Sequence, residues 1–217
     1  MSSYSRPTFP ERTFRDADGH VIPYGERWPD GDGPEDTYEV VSHAERFEPV
    51  HAVADALIEH LVAEYDVAVA DEPDPARPAF RRKDGSGYGR CVRLVPSDPS
   101  AASLTFLYDP FPSVTVHAGL LHWDPFPGCG CDHCDETADS AADDLEQMVF
   151  AVVDGGFGER LSSGRERRIE IRSADGDMNQ SSFGPEPHLT KDELDRIRTT
   201  LNDIDGRWTA WPRRSRR

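Results

Sequence analysis

The residues that decide the fold are 104–121, which read LTFLYDPFPSVTVHAGLL. Leu104–Tyr108 and Val114–Leu121 are rich in β-branched and aromatic residues, and in the second run apolar and polar side chains alternate, as in a half-buried strand. The tetrapeptide Asp-Pro-Phe-Pro between them holds two prolines, which cannot donate to a sheet ladder, so the chain is predicted to reverse there. A second copy of this tetrapeptide at 124–127 predicts another reversal. With a third strand at Cys91–Val95, the pattern indicates consecutive antiparallel strands joined by short turns.

Amphipathic helices are predicted on both sides of these strands. One begins with Pro49 as its first residue and continues apolar at helical spacing for four turns, after a short helical turn opened by the capping-box pattern Ser42–Glu45. A second helix is predicted over 137–154, with Asp135 as its N-cap. The third opens at Thr190, whose partner three residues later is a glutamate, which is again a capping box.

The order of these elements predicts the fold class. Phe157–Leu161 and Arg167–Arg172 are expected to form a hairpin that turns at Ser163-Gly164, whereas 71–89 holds turn-forming residues with almost no periodicity and is expected to be a loop. Helix, three strands, helix, two strands, helix is typical of an α+β fold. We therefore expect an antiparallel sheet of about five strands with helices packed mainly on one face and an extended N-terminal arm.

Composition divides the chain into three parts. Residues 1–41 are rich in proline, glycine and aspartate, and we expect an extended arm whose aromatic side chains pack on the domain. Residues 42–205 are predicted to be a single α+β domain, and 206–217 a basic tail. Trp208 and Trp211 in that tail are expected to pack on the core, because the overall charge disfavours a role in stacking nucleic-acid bases.

The charge balance limits the classes of partner. The formal net charge is −17, with 41 acidic and 24 basic side chains, so general binding of a polyanion such as nucleic acid is disfavoured. No apolar run approaches the ~18–20 residues that span a bilayer, and the first residues lack a secretory apolar segment. We therefore expect a cytoplasmic protein without a membrane partner, and a protein partner remains open. Thiols stay reduced in the cytoplasm, so clustered cysteines there indicate metal or redox chemistry rather than disulfides.

The only concentrated chemical signal is the group Cys129, Cys131 and Cys134, which lies within six residues. Zinc binds thiolates at ~2.3 Å and requires four ligands in a tetrahedron. The two-residue gap between Cys131 and Cys134 lets one loop present two sulfur atoms, and Gly128 and Gly130 give the backbone freedom to bring in the third. The pattern predicts a zinc site with a structural role.

The fourth zinc ligand must come from another part of the chain. His122, at the exit of a strand, is the first candidate, and His117 or Cys91 would serve if the sheet brings them close. His133 is adjacent to Cys134 in sequence, so the two side chains are difficult to aim at one ion. The predicted metal ligands are therefore Cys129, Cys131, Cys134 and His122.

Two enzymatic alternatives remain open. The pair Cys131 and Cys134 before a helix is also typical of a redox dithiol, but Asp132, Asp135 and Glu136 place anions beside the sulfur atoms, which opposes thiolate formation and favours a bound cation. A metal-dependent hydrolase would need an open coordination position. No complete catalytic constellation is present, so catalytic residues are not assigned. The leading hypothesis is a zinc-binding accessory or interaction module, and the alternative is a metal-dependent hydrolase or a CxxC thiol oxidoreductase.

Several short runs together resemble an uncharacterised bacterial family, a domain of unknown function. They are Arg27–Gly31, Ser42–Phe47, His51–Asp55, Val116–Gly119 and the motif Cys-Gly-Cys-Asp-x-Cys-Asp-Glu at 129–136. The likeness covers most of the chain as far as the region of residue 160. It implies one coherent domain and carries no activity, substrate or cofactor.

Overall fold

The computed structural model describes residues 4–29, 31, 33–71, 89–162, 166–174, 179–185 and 189–215. Within them the chain forms two antiparallel sheets and three α-helices, which confirms the predicted α+β class. The predicted loop over 71–89 and the predicted turn at Ser163-Gly164 lie almost wholly outside the described residues. Among the described helices, none is long and apolar enough to cross a membrane.

The five-stranded sheet keeps chain order and contains β1 (Val67–Ala70), β2 (Arg90–Pro96), β3 (Leu104–Asp109), β4 (Ser113–Ala118) and β5 (His122–Phe126). The three-stranded sheet contains β6 (Phe157–Leu161), β7 (Glu166–Arg172) and β8 (Asn179–Pro185). The helices are α1 (Pro49–Glu64), α2 (Ala138–Val153) and α3 (Lys191–Asp203), and two short 3₁₀ helices precede α1 at Glu35–Thr37 and Ala44–Phe47.

The two central strands are the stretch from which the fold was predicted. β3 and β4 pair with Tyr108 opposite Val114 and Asp109 opposite Ser113, so the first Asp-Pro-Phe-Pro segment is the predicted chain reversal. Every residue of β4 is buried, as are all but the last of β3. The alternation over 114–121 therefore predicted a half-buried strand wrongly, because both faces of β4 are covered. Their apolar side chains form one core with those of α1 and α2, which continues into the second sheet through Phe157.

The second Asp-Pro-Phe-Pro segment was predicted wrongly as a reversal. It continues β5, where Pro125 lies opposite Thr115 of β4. β5 is the edge of its sheet, and an edge strand tolerates a residue that cannot donate to a ladder on its open side. The chain reverses earlier, between Ala118 and His122, where Gly119 adopts a positive φ of 54°.

The predicted second hairpin forms a sheet of its own. β6 and β7 pair as expected, with Phe157 opposite Ile171. They follow α2 in the chain and do not pair with the first sheet, and β8 joins them as a third strand. β8 was not predicted because its sequence, NQSSFGP, has neither alternation nor β-branched residues. The C-terminal tryptophans, Trp208 and Trp211, are buried in the core, as the sequence analysis expected.

A buried carboxylate joins the two sheets. Glu159 of β6 is fully buried, and its side chain accepts hydrogen bonds from the backbone N–H groups of Leu120, Leu121 and His122 at 2.8, 2.6 and 3.1 Å. The indole N–H of Trp208 donates to the same carboxylate at 2.9 Å. Four donors thus compensate the burial of this charge, and they bring the β4–β5 turn, β6 and the C-terminal segment together.

Two helix caps differ from the predicted ones. The Ser42 hydroxyl does not cap the 3₁₀ helix that follows it, and donates instead to the carboxylate of Asp132. Asp135 does not cap α2, whose N-cap is Thr137 in a capping box with Ser140. The capping box predicted at Thr190 is present at the start of α3. The cysteine loop is the segment 127–137 between β5 and α2, which carries three cysteines. Ser42 and Asp135, predicted wrongly as caps, take part instead in the contacts of this loop.

Candidate metal centre

The loop between β5 and α2 brings the three predicted sulfur ligands together. The sulfur atoms of Cys129, Cys131 and Cys134 all lie within 4.8 Å of one another. Sγ of Cys131 is 3.1 Å from that of Cys129 and 3.6 Å from that of Cys134. Tetrahedral zinc with Zn–S bonds of ~2.3 Å requires sulfur atoms ~3.8 Å apart, so small movements of the three cysteine side chains would allow them to bind the ion. All the cysteines are free thiols, with Cys131 buried and Cys134 exposed.

The environment of Cys131 favours its thiolate. Burial raises the pKa of this thiol, but hydrogen bonds from the Cys129 thiol and from the backbone N–H groups of Cys134 and Glu39 outweigh burial and lower the pKa to about 7. Partial desolvation of the Cys134 sulfur atom, together with its two sulfur neighbours, raises the pKa of Cys134 to about 12. One thiolate shared among three sulfur atoms is a donor set that a soft cation can complete by displacing the remaining protons.

The cysteine loop is closed at its base by Glu136. This carboxylate accepts the backbone N–H groups of Gly128, at 3.1 Å, and of Cys129. At the top of the loop, the ring of Phe111 lies so close to Gly130 that a Cβ there would be 2.5 Å from the ring carbon Cζ. Glycine at this position therefore lets the loop lie flat on an aromatic side chain of the β3–β4 turn.

Arg27 of the N-terminal arm and Arg46 of the 3₁₀ helix that precedes α1 hold the loop from the other side. Arg46 is buried and donates to the carbonyl oxygens of Gly130 at 2.9 Å and Glu136 at 3.2 Å. Arg27 donates to the carbonyl of Asp132 at 2.7 Å and forms an ion pair with Asp135. The guanidinium group of Arg27 lies 4.3 Å from the ring centre of Tyr24, and that of Arg46 lies 4.2 Å from it. Both distances allow cation–π attraction.

The acidic residues of the loop are engaged in this network. Asp132 is buried, accepts the Ser42 hydroxyl, and has an oxygen 3.7 Å from a guanidinium nitrogen of Arg27 and of Arg46. Asp135 accepts the backbone N–H groups of Gly25 and Arg27, each at 2.9 Å. The arginines therefore offset the negative charges that were expected to oppose thiolate formation.

The four side chains considered as a fourth ligand do not join the described sulfur group. Nε2 of His122 lies 3.0 Å from Oδ2 of Asp124, and its ring packs on Phe157 at the junction of the two sheets. His117 stacks on Trp123, and Cys91 lies in β2. Nδ1 of His133 is 3.1 Å from the carbonyl oxygen of Pro34. His122 is the first residue of β5, and the cysteine loop begins only after the last one, Phe126. The length of the strand therefore separates the His122 ring from the sulfur atoms.

Sequence reasoning did not identify Arg27, Arg46 and Tyr24 as part of the site. An arginine on a loop is usually a solvated surface residue, and nothing in the spacing of these three indicates contact with residues about 100 positions away. The runs that carried the family resemblance, Arg27–Gly31 and Ser42–Phe47, contain both arginines. That resemblance was the one signal that placed them with the cysteine motif.

Asp135 is expected to be essential for docking the arm on the loop. Because Asp135 has a positive φ of 54°, which asparagine also tolerates, Asp135→Asn removes the charge without adding backbone strain. We expect it to lower the free energy of unfolding by about 2–4 kcal/mol, since the partly buried Arg27 loses its counter-ion. Denaturant unfolding measures the loss, and Asp139→Asn, an exposed change in the same segment, should cost less than about 0.5 kcal/mol. Equal effects of the two substitutions would contradict a role for the ion pair.

A second group of potential ligands lies in the arm and is explained by its turn. Asp16, Asp18 and His20 are exposed and close together. The Asp16 carboxylate accepts the backbone N–H groups of Asp18 and His20, each at 2.9 Å, which is the hydrogen bonding of an aspartate that stabilises a tight turn. Hydrogen bonding within the turn accounts for this arrangement without an ion.

Comparison with known proteins shows the family of this chain. A family model described as a family of unknown function (DUF6226) matches residues 10–215. The chain belongs to this family. The match confirms the resemblance to an uncharacterised family and extends it beyond residue 160 to the second sheet and α3. The function of the family is unknown, so membership assigns no activity. No curated protein and no solved structure matches the chain.

Proposed function

We propose that the protein is a zinc-binding accessory or interaction module whose ion is held by Cys129, Cys131 and Cys134. In this proposal the zinc is structural and fastens the loop between β5 and α2 to the N-terminal arm. The observation that carries the proposal is the convergence of three free sulfur atoms within 4.8 Å of one another. The fourth ligand is a water molecule or a donor outside the side chains considered from sequence.

The surroundings of the sulfur atoms support a bound cation over separate thiols. Three thiolates at such short distances repel each other strongly unless a positive charge lies between them. The backbone N–H groups of Cys134, in the same loop, and of Glu39, in the N-terminal arm, lower the pKa of Cys131 through hydrogen bonds to its sulfur. Such outer hydrogen bonds orient metal ligands and tune their basicity. The loop is thus arranged for thiolate ligands before any ion binds.

An exposed apolar surface beside the loop supports an interaction role. Tyr38, Val40 and Val41 are among the exposed large apolar side chains of the described residues. The carbonyl of Val40 accepts the backbone N–H of Asp132 at 2.7 Å, and the ring of Tyr38 contacts that of His133 at 5.6 Å between centres. A zinc ion that orders the cysteine loop would also order this apolar segment, which could then bind a partner protein.

Metal analysis combined with a thiol count tests the proposal. We expect about one equivalent of zinc per chain after purification without chelator. In the zinc-loaded protein a thiol reagent should react only with Cys91, which lies outside the group, and chelation should expose three more thiols. Cys131→Ser should abolish zinc binding, whereas Cys91→Ser should leave the zinc content unchanged. Protein that contains no metal and does not take up zinc would refute the proposal.

A thiol oxidoreductase is the second candidate, and one observation favours it. Cys131 and Cys134 are 3.6 Å apart at their sulfur atoms, and the pKa of Cys131 is lowered to about 7, near the optimum for an attacking thiol. This candidate predicts metal-free protein with a reversible Cys131–Cys134 disulfide. Titration against glutathione buffers, followed by mass spectrometry, distinguishes it from the zinc proposal. The metal-dependent hydrolase remains a prediction of the sequence alone.

A further inference from the structure

A cleft away from the cysteine loop combines arginines with an exposed aromatic ring. It has a volume of about 460 Å³ and lies between the β6–β7 hairpin, Phe183 of β8 and the C-terminal part of α3. This volume is within the range of small-molecule sites, ~300–1,000 Å³. Four arginines line it, and they come from three different elements: Arg160, Arg167, Arg168 and Arg198.

The positive charge of this cleft is opposite in sign to that of the protein, whose net charge is −17. Three acidic residues also line the cleft, but Glu159 turns its carboxylate to the four donors described above. The side chain of Asp205 is 93% exposed and its nearest oxygen is 3.7 Å from Arg160, a geometry that contributes little. Glu166 is an exposed residue at the end of the hairpin. Two of the arginines also form ion pairs on their own elements: Arg168 with Glu170 at 2.9 Å, and Arg198 with Asp195 at 3.3 Å. All four of these side chains are partly exposed, so the pairs are weak and leave guanidinium donors available to an anion.

The strand register places two of these arginines against each other. Arg160 of β6 lies directly opposite Arg168 of β7, on the same face of the sheet. Like charges at directly opposed positions destabilise a sheet. An anion between the two guanidinium groups would replace this repulsion with charge-assisted hydrogen bonds, for which each arginine has a planar set of donors.

The other two arginines are oriented by backbone carbonyls. Nη1 of Arg167 donates to the carbonyl of Leu121 at 2.9 Å, across to the first sheet. Nη2 of Arg198 donates to the carbonyl of Ser162 at 3.0 Å and so holds α3 against the hairpin. These bonds hold both side chains in place at the border of the cleft. Successive side chains of a strand point to opposite faces of the sheet, so Arg167 lies on the face opposite to Arg160 and Arg168.

The cleft also has an apolar surface. Phe183 is 68% exposed and lies opposite Arg168 in the β7–β8 register, with the guanidinium 5.3 Å from the ring centre. Leu161 and Leu201 add aliphatic lining. We propose that this cleft binds a small organic anion in which a phosphate or carboxylate group is attached to a flat apolar or aromatic body. The anionic group would lie between Arg160 and Arg168, and the flat body would pack on Phe183.

Calorimetric titration of the full chain with three probes tests the cleft. Adenosine monophosphate, benzoate and inorganic phosphate separate the contribution of the flat body, the carboxylate and the phosphate. We expect saturable one-to-one binding of adenosine monophosphate or benzoate, and weaker binding of inorganic phosphate. The double substitution Arg160→Gln and Arg168→Gln should weaken binding at least about tenfold. Arg214→Gln, the same change on the C-terminal segment, should alter it by less than about twofold.

Thermal unfolding without ligand provides a second readout. Arg168→Gln removes a like-charge contact with Arg160 but also a partly exposed ion pair with Glu170, and these two small effects oppose each other. If the two opposed arginines serve a ligand, the variant should therefore melt within about 2–4 °C of the wild type. A variant that melts well below the wild type would show a structural role and overturn the proposal. The same conclusion would follow if none of the three probes bound saturably, or if Arg214→Gln lost as much affinity as the double variant.

Discussion

If the cysteine loop holds the proposed zinc ion, its removal should lower the thermal midpoint of unfolding by more than about 10 °C, because a structural zinc site contributes on the order of 10 kcal/mol and each kcal/mol corresponds to about 2–4 °C in a chain of this size. The effect should extend beyond the three cysteines. Arg46 donates to the carbonyl oxygen of Gly130, and Arg27 of the arm donates to that of Asp132, so a loop that becomes more mobile without its ion should also weaken these two contacts. Thermal unfolding with and without a chelator measures the shift.

Hydrogen exchange would locate the effect of chelation. Faster exchange is expected at residues 24–46 and 128–137, and unchanged exchange in β3 and β4, which are buried independently of the loop. Addition of zinc should restore both the midpoint and the protection. Cys91→Ser is the matched control, since that thiol lies in β2 and should respond to chelator as the wild type does. A midpoint that does not move when measured zinc is removed would exclude a structural role for the ion.

The fold could be predicted where the sequence contains local signals. The two strands around Asp109 are rich in β-branched and aromatic residues and are separated by prolines, and the first helix begins at a proline that favours its first turn. These features depend on neighbouring residues only, so they survive in the folded chain. β8 carries no such signal, because its residues are held in the sheet by pairing with β7 rather than by burial of their own side chains.

The site could be predicted only in part for a related reason. The cysteines are close in sequence, so their convergence required no knowledge of the fold. Their partners Arg27 and Arg46 are separated from them by about 100 residues, and contacts at that range depend on how the arm crosses the domain. Ser42 and Asp135 show the consequence most clearly. Each matched a local helix-capping pattern, but each forms a hydrogen bond or ion pair across the arm–loop contact instead.

Glu159 was not identified from the sequence, and its replacement is expected to have the second large effect. Glu159→Ala should lower the free energy of unfolding by at least about 4 kcal/mol, because three backbone N–H groups and the indole of Trp208 lose their acceptor inside the core. The adjacent turn is built for this carboxylate. At Gly119 a Cβ would lie 2.2 Å from Oε2 of Glu159, so no other residue fits beside it.

Chemical unfolding of three variants separates the contributions of this carboxylate. Glu159→Gln keeps the volume and one acceptor oxygen but turns an amide donor toward N–H groups, so we expect an intermediate loss of about 2 kcal/mol. Glu166→Ala, on the exposed part of the neighbouring strand, should change stability by less than about 0.5 kcal/mol. If Glu159→Ala unfolded at the same denaturant concentration as Glu166→Ala, the four hydrogen bonds would not hold the two sheets together. The junction would then depend on apolar contacts such as those of Phe157, which is buried beside them.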